Sequence, residues 1–184
     1  MLATAAMRRA CTRTLCASPR VMRPTSQPTL SFDPSAKTAM DKQEPPAPGA
    51  DFRVVIVGAG NINFGSDEGP WNHSFRLEHK LGPRLKVVAL IDPDAERARR
   101  VLKTKCQSFV LSAYKDTVVY PTFKDYMASV CAETYPHAVW VGSPPAFRGG
   151  TEPGRNLEQL LTAGLPNVPL FIEKPVSTGA VDQT

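Results

Sequence analysis

The chain has 184 residues, enough for one domain with a substantial core, and its composition is ordinary for a globular protein at 42% apolar and 21% charged residues. The net charge of +5 is unevenly placed: residues 1–50 carry 7 Lys+Arg against 3 Asp+Glu, and residues 51–184 carry 15 against 14. A near-neutral folded part gives nucleic-acid binding no support, no apolar run approaches the roughly 20 residues of a membrane-spanning helix, and Cys11, Cys16, Cys106 and Cys131 form no C-x-x-C pair with histidine at ligand spacing, so no metal site is expected.

Residues 1–50 read as a disordered extension and linker. They hold 7 of the 18 prolines and a single aromatic, Phe32, too little apolar surface to offset the entropy of ordering. The first 32 residues contain five arginines and no acid. That pattern is similar to a mitochondrial transit peptide and lacks the apolar core of a secretory signal. A cytoplasmic or mitochondrial location is expected, and secretion is not. The four thiols fit a reducing compartment, two in the tail and two packing helices.

From Phe52 the texture changes, and residues 51–184 read as one folded unit. "FRVVIVG" is a short β-branched run closed by glycine, a buried strand. "NHSFRLEHKLG" is helical, with Phe75, Leu77 and Leu81 on one face and glycine as stop signal. "RLKVVALIDP" is a second strand and "DAERARRVLKTKC" a helix capped by Asp94. "DTVVYP", "HAVWVGSPP" and "VPLFIEKP" supply three more strands. "TFKDYMASVCAE", capped by Thr122, and "GRNLEQLLTAGLP", stopped at Gly164, are the helices between them. This β-α alternation predicts an α/β fold, a doubly wound parallel sheet of Rossmann type with helices on both faces.

In such sheets ligands bind beyond the carboxyl ends of the strands, near the point where strand order reverses. Four segments fall there. Gly58-Ala59-Gly60-Asn61-Ile62 follows the first strand. Gly58 permits the turn, Gly60 lets backbone approach a pyrophosphate, and the amides beyond it can hold phosphate oxygens. The third glycine of this motif is replaced by Asn63, whose Cβ is a hindrance where strand and helix pack; Gly65 or Gly69 can serve instead. "FGSDEGPW" reads as an insertion that delays the helix, with Asp67 and Glu68 unfavourable to phosphate if they face it. Asp92 closes the second strand and can accept the ribose hydroxyls, which favours NAD over NADP; alternatively it only begins the "DPDAE" turn. Arg97, Arg99 and Arg100 keep a 2′-phosphate open. Pro144 and Pro145 follow the fourth strand and fix an extended loop. Glu173 and Lys174 follow the fifth, where the lysine can orient a substrate oxygen or exchange a proton with it and Glu173 can hold that lysine or a ribose. His73, His79 and His137 read as surface or packing residues.

Taken together, G-x-G after strand one, "IDPD" at the end of strand two, "SPPAF" after strand four and "EKPVS" after strand five resemble the glucose–fructose oxidoreductase / inositol 2-dehydrogenase (Gfo/Idh/MocA) family over residues 52–179. The resemblance implies NAD or NADP and hydride transfer at a hydroxyl or carbonyl carbon of a sugar-like small molecule. It implies Lys174 as the catalytic or substrate-orienting lysine, with Gly58, Gly60, Asn61 and Ile62 at the pyrophosphate and Asp92 at the ribose. Pro144, Pro145 and Glu173 fall near the nicotinamide, and the Lys174–Pro175 bond is expected to be cis. Family members often carry histidine about where Arg148 stands. They continue past Glu-Lys-Pro into a second domain that holds the substrate, so this chain is expected to be the Rossmann half only. The strand surface that would meet that domain is then bare, open to self-association or to a partner. Beside an oxidoreductase stands the alternative of a truncated, catalytically inactive fragment that binds a dinucleotide or a partner.

Overall fold

A computed structural model describes residues 46–66 and 69–175. The expectation for the amino-terminal extension falls almost wholly outside these residues, as do Asp67, Glu68 and everything beyond Pro175.

Five strands form one parallel sheet: β1 (Phe52–Val57), β2 (Leu85–Ile91), β3 (Val118–Tyr120), β4 (Ala138–Val141) and β5 (Leu170–Ile172), in the order β3-β2-β1-β4-β5. Six helices connect them: α1 (Asn61–Phe64), α2 (His73–Leu81), α3 (Ala95–Cys106), α4 (Leu111–Tyr114), α5 (Phe123–Met127) and α6 (Leu157–Gly164). Successive side chains of a strand point to opposite faces. Val54 and Ile56 of β1 therefore join one core with Leu77, Leu90, Ala98, Leu102 and Tyr114. Val55 and Val57 join another with Val139, Val141, Tyr126, Leu161 and Leu165. A sheet that is apolar on both faces must be covered on both, which is the doubly wound arrangement expected.

Strand order runs outward from β1 to β3, then returns to the other side of β1 as β4 and β5, so the reversal lies between β1 and β4. The ladders continue one residue past the strand ends. Gly58 N–H donates to Ile91 O at 2.8 Å, Asp92 N–H to Tyr120 O at 3.0 Å, Gly142 N–H to Val57 O at 2.9 Å and Glu173 N–H to Val141 O at 3.2 Å. The residues that follow β1, β2, β4 and β5 thus lie in one row along the carboxyl edge.

Several elements differ from their sequence reading. The first helix is not delayed but split. One turn, α1, starts directly after Gly60 and stops at Gly65, whose φ of +87° suits glycine. The helix restarts at His73 under the cap of Asn72, whose side chain accepts from Phe75 N at 2.9 Å and donates to Phe64 O at 3.2 Å, bridging the two pieces. On α2 the buried positions are His73, Ser74 and Leu77, while Phe75 is 59% exposed. The helix after Thr122 is only five residues long, and α4 had no sequence signal. Cys106 packs against the core at the end of α3, whereas Cys131 lies beyond α5 and is exposed.

Candidate functional site

The turn after β1 is built around two glycines with different reasons to be there. Gly58 has φ +95°, and a Cβ on it would lie 3.1 Å from Ser143 N and 3.2 Å from Gly142 C. It lets β1 and β4 come together at the reversal point. Gly60 has an ordinary φ of −81°, and a Cβ there would meet nothing within 4 Å. Among the described residues no packing requires that glycine, and none of them fills the space above it. Among the described residues, the amides of Gly60, Asn61 and Ile62 donate to no acceptor. Three unpaired N–H groups around a residue without a side chain fit a pyrophosphate. With α1 only four residues long, the amides themselves and not a helix dipole would hold it.

Asn63 is the departure from the glycine pattern, and its place is now clear. It is buried, and its Nδ2 donates to Val57 O at 3.0 Å and Gly58 O at 2.7 Å. Room for it comes from the neighbouring strand: a Cβ on Gly142 would fall 2.4 Å from Asn63 Oδ1. The missing glycine has moved across the turn to position 142, and neither Gly65 nor Gly69 replaces it.

Asp92 is 3% exposed and lies beneath the turn. Its Oδ2 accepts from Ala59 N at 2.6 Å, and its Oδ1 accepts from Asp94 N at 2.8 Å and from Arg97 at 2.9 Å. The carboxylate therefore fastens β2 to the glycine turn and also begins the next helix. Arg97, half-exposed, turns back onto it, and its own basicity is raised chiefly by that hydrogen bond. Asp94 caps α3 as expected, accepting from Arg97 N at 2.9 Å, and this bond is the main reason its acidity is strengthened.

The two remaining loops are joined by Arg148. Pro144 is extended, but Pro145–Phe147 coil into a short 3-10 turn, so the loop is not extended throughout. The turn tucks Arg148 inside, 1% exposed. Its guanidinium donates to Ser143 O at 2.9 Å, Pro175 O at 2.7 Å and Lys174 O at 3.4 Å, with Glu158 3.7 Å away as counter-charge. The Lys174–Pro175 peptide is cis. Lys174 is exposed, and among the described residues its ammonium has no hydrogen-bond or ion-pair partner. Glu173 does not hold that ammonium. One of its oxygens meets His73 Nε2 at 2.5 Å and the other accepts from Lys174 N at 3.2 Å. His73 was read as a surface or packing residue; it is buried and paired. Its position resembles that of a histidine common in the Gfo/Idh/MocA family, but residue type alone gave little signal, since a histidine at the start of a helix has many uses.

Gly58, Asp92, Ser143 and Lys174 are thus one contiguous set, linked through Ala59 N, the Gly58–Ser143 contact and Arg148. Ser143 Oγ and Asn63 Oδ1, both buried at the reversal point, have no hydrogen-bond partner among the described residues. Residues 52–184 match the model of an oxidoreductase family, GFO_IDH_MocA, NAD-binding Rossmann fold.

The chain belongs to the GFO_IDH_MocA family.

The match covers residues 52–184 and is to the NAD-binding Rossmann domain of that family. Two curated relatives come from Schizosaccharomyces pombe. The uncharacterized protein C12C2.04 is 44% identical over 135 residues, 72% of this chain and 35% of that protein. The uncharacterized protein UNK4.17 is 41% identical over 143 residues, 76% of this chain and 35% of that protein. The chain thus spans about a third of the length of the curated relatives it matches. Among solved structures, the WlbA dehydrogenase from Chromobacterium violaceum, in complex with NADH and UDP-GlcNAcA, has a TM-score of 0.48 at 17% identity, over 74% of this chain and 31% of that one. The WlbA dehydrogenase from Bordetella pertussis, in complex with the same two ligands, has a TM-score of 0.47 at 15% identity, over 73% and 30%.

Proposed function

We propose that this GFO_IDH_MocA chain binds NAD(H) along the carboxyl edge of its sheet and serves hydride transfer at a hydroxyl or carbonyl carbon of a sugar-like small molecule. The observation that carries the reading is the open Gly60 with the free amides of Gly60, Asn61 and Ile62 around it. In this reading those amides take the pyrophosphate, and Ser143 with Pro144 and Pro145 borders the nicotinamide side. The nicotinamide supplies the hydride chemistry. The chain's own contribution to the reaction is Lys174, whose free ammonium orients the substrate oxygen and exchanges a proton with it as the carbon changes oxidation state.

The choice of NAD over NADP rests on Asp92. A 2′-phosphate arriving beside this carboxylate would be repelled. It would also have to draw Arg97 away from Asp92 at 2.9 Å, leaving a buried carboxylate short of a donor.

Titrating the protein with NADH and with NADPH, followed by cofactor fluorescence, tests the reading. Saturable binding of NADH at least about tenfold tighter than NADPH is expected, an energy difference near 1.4 kcal/mol. A polyol and aldose panel with NAD then reads turnover. No saturation with either cofactor would overturn the assignment of the site.

A further inference from the structure

We propose that His73 is a positioning residue for Lys174, acting through Glu173; the inference rests on the reading of Lys174 given above. His73 begins α2 yet is 1% exposed. Its ring is tilted against Trp140 at 5.6 Å and set edge-on to Phe171 at 5.1 Å, and those two rings stack on each other at 3.9 Å. Its two nitrogens have distinct neighbours. Nδ1 faces the Arg76 guanidinium at 3.3 Å, and Nε2 faces Glu173 at 2.5 Å. A guanidinium has donors only, so Nδ1 must be the bare acceptor, and Nε2 carries the proton and donates it to the carboxylate. A single tautomer of the neutral ring satisfies both contacts.

The second oxygen of Glu173 accepts from the amide of Lys174 at 3.2 Å. Both oxygens are thus engaged within the chain, which makes Glu173 a link between α2 and the lysine. From the other side, Arg148 donates to the carbonyls of Lys174 and Pro175. The backbone of Lys174 is held at its amide by the His73–Glu173 pair and at its carbonyl by Arg148, while its ammonium has no partner among the described residues. A lysine needed only for solubility gains nothing from such a backbone anchor. A lysine that must meet a substrate atom in near-attack geometry does, because misplacement by about 1 Å can cost on the order of a hundredfold in rate. The aromatic rings around His73 keep water from the pair, which strengthens it.

The test compares His73→Gln, whose side-chain amide can still donate to Glu173, with His73→Phe, which keeps the ring packing and loses the donor. Lys174 acylation by an activated acetate ester is followed by peptide mass spectrometry with and without NADH, using the exposed Lys115 as internal reference. In the wild type NADH is expected to slow acylation of Lys174. His73→Gln is expected to retain that protection. His73→Phe is expected to bind NADH within about threefold of wild type, since the Gly60 amides are untouched, and to lose the protection. Wild-type protection in His73→Phe would overturn the proposal. Hydrogen exchange at the Lys174 amide, measured without cofactor, decides the same point independently. Exchange about tenfold faster in His73→Phe supports it, and an unchanged rate overturns it. Glu173→Gln, with one acceptor oxygen where two are used, serves if His73→Phe does not fold and should show the same two losses. A wild type that binds no NADH would instead sink the cofactor reading, leaving amide exchange to judge the positioning role.

Discussion

Gly58 and Gly60 stand two residues apart and should respond to substitution in opposite ways. At Gly58 an alanine must adopt a left-handed φ and press its Cβ on the backbone of Gly142 and Ser143. Gly58→Ala is expected to lower stability by about 2 kcal/mol, read in chemical denaturation. At Gly60 the backbone is extended and the space above is open. Gly60→Val should change stability by no more than about 1 kcal/mol, yet weaken NADH by at least about tenfold, because branched methyls now occupy the ground the pyrophosphate needs. Equal NADH affinity in wild type and Gly60→Val would mean the pocket is misplaced. Asp92 gives the complementary case. Asp92→Ser removes the repelling carboxylate and releases Arg97, so the ratio of NADPH to NADH affinity should rise by about tenfold or more. An unchanged ratio in fluorescence titrations would show that neither residue reads the 2′ position. At this scale the placing of the glycine turn, Asp92 and Lys174 just past their strands was legible from residue type and order. The burial of His73 and Arg148 was not, because both depend on partners about 100 and 27 residues away, beyond any local pattern.

Among the elements, the strands and α3 followed from β-branched runs and a capping acid, since both are local signals. The split of the first helix did not, because it is decided by contacts across the turn. Asn63 can sit inside only because β4 ends in Gly142, and the loop after α1 is closed by Asn72 reaching back to Phe64 O. The reciprocal pair Asn63–Gly142 can be tested as a double-mutant cycle. In Gly142→Ala the new Cβ falls 2.4–2.7 Å from Asn63 side-chain atoms. Those atoms cannot swing away, being tied to two carbonyls. A loss of about 2–3 kcal/mol is expected from overpacking. Asn63→Gly alone also costs stability, through the hydrogen bonds it gives up. In the Asn63→Gly background, however, Gly142→Ala should become nearly neutral, so the two changes should be coupled by more than about 1 kcal/mol. Additive effects would show that the two positions do not share this space.

For the molecule as a whole, the alternation of strand and helix foretold a doubly wound parallel sheet, because each buried strand demands cover on both faces. The central strands β1 and β4 are what global unfolding must separate, and their amino ends are joined by His137. Its N–H donates to Arg53 O at 2.8 Å, and its Nδ1 accepts from Arg53 N at 2.9 Å. Nδ1 can accept only while it is unprotonated. Burial first, and the charge of Arg53 second, hold the basicity of this ring below the usual histidine value of 6.5. The folded state therefore binds fewer protons than the unfolded chain across this window. Stability should be complete above pH 6.5 and decline as the pH falls below it toward the depressed folded value. Carboxylates titrate lower still, so between about pH 7.5 and 5.5 histidines dominate the slope. Melting temperatures over that range should fall with acid in the wild type, and the fall should be shallower in His137→Asn, which has nothing to protonate. Equal slopes in the two proteins would mean that the β1–β4 junction does not sense the protonation of His137. A melting temperature rising with acid would reverse the sign of the argument.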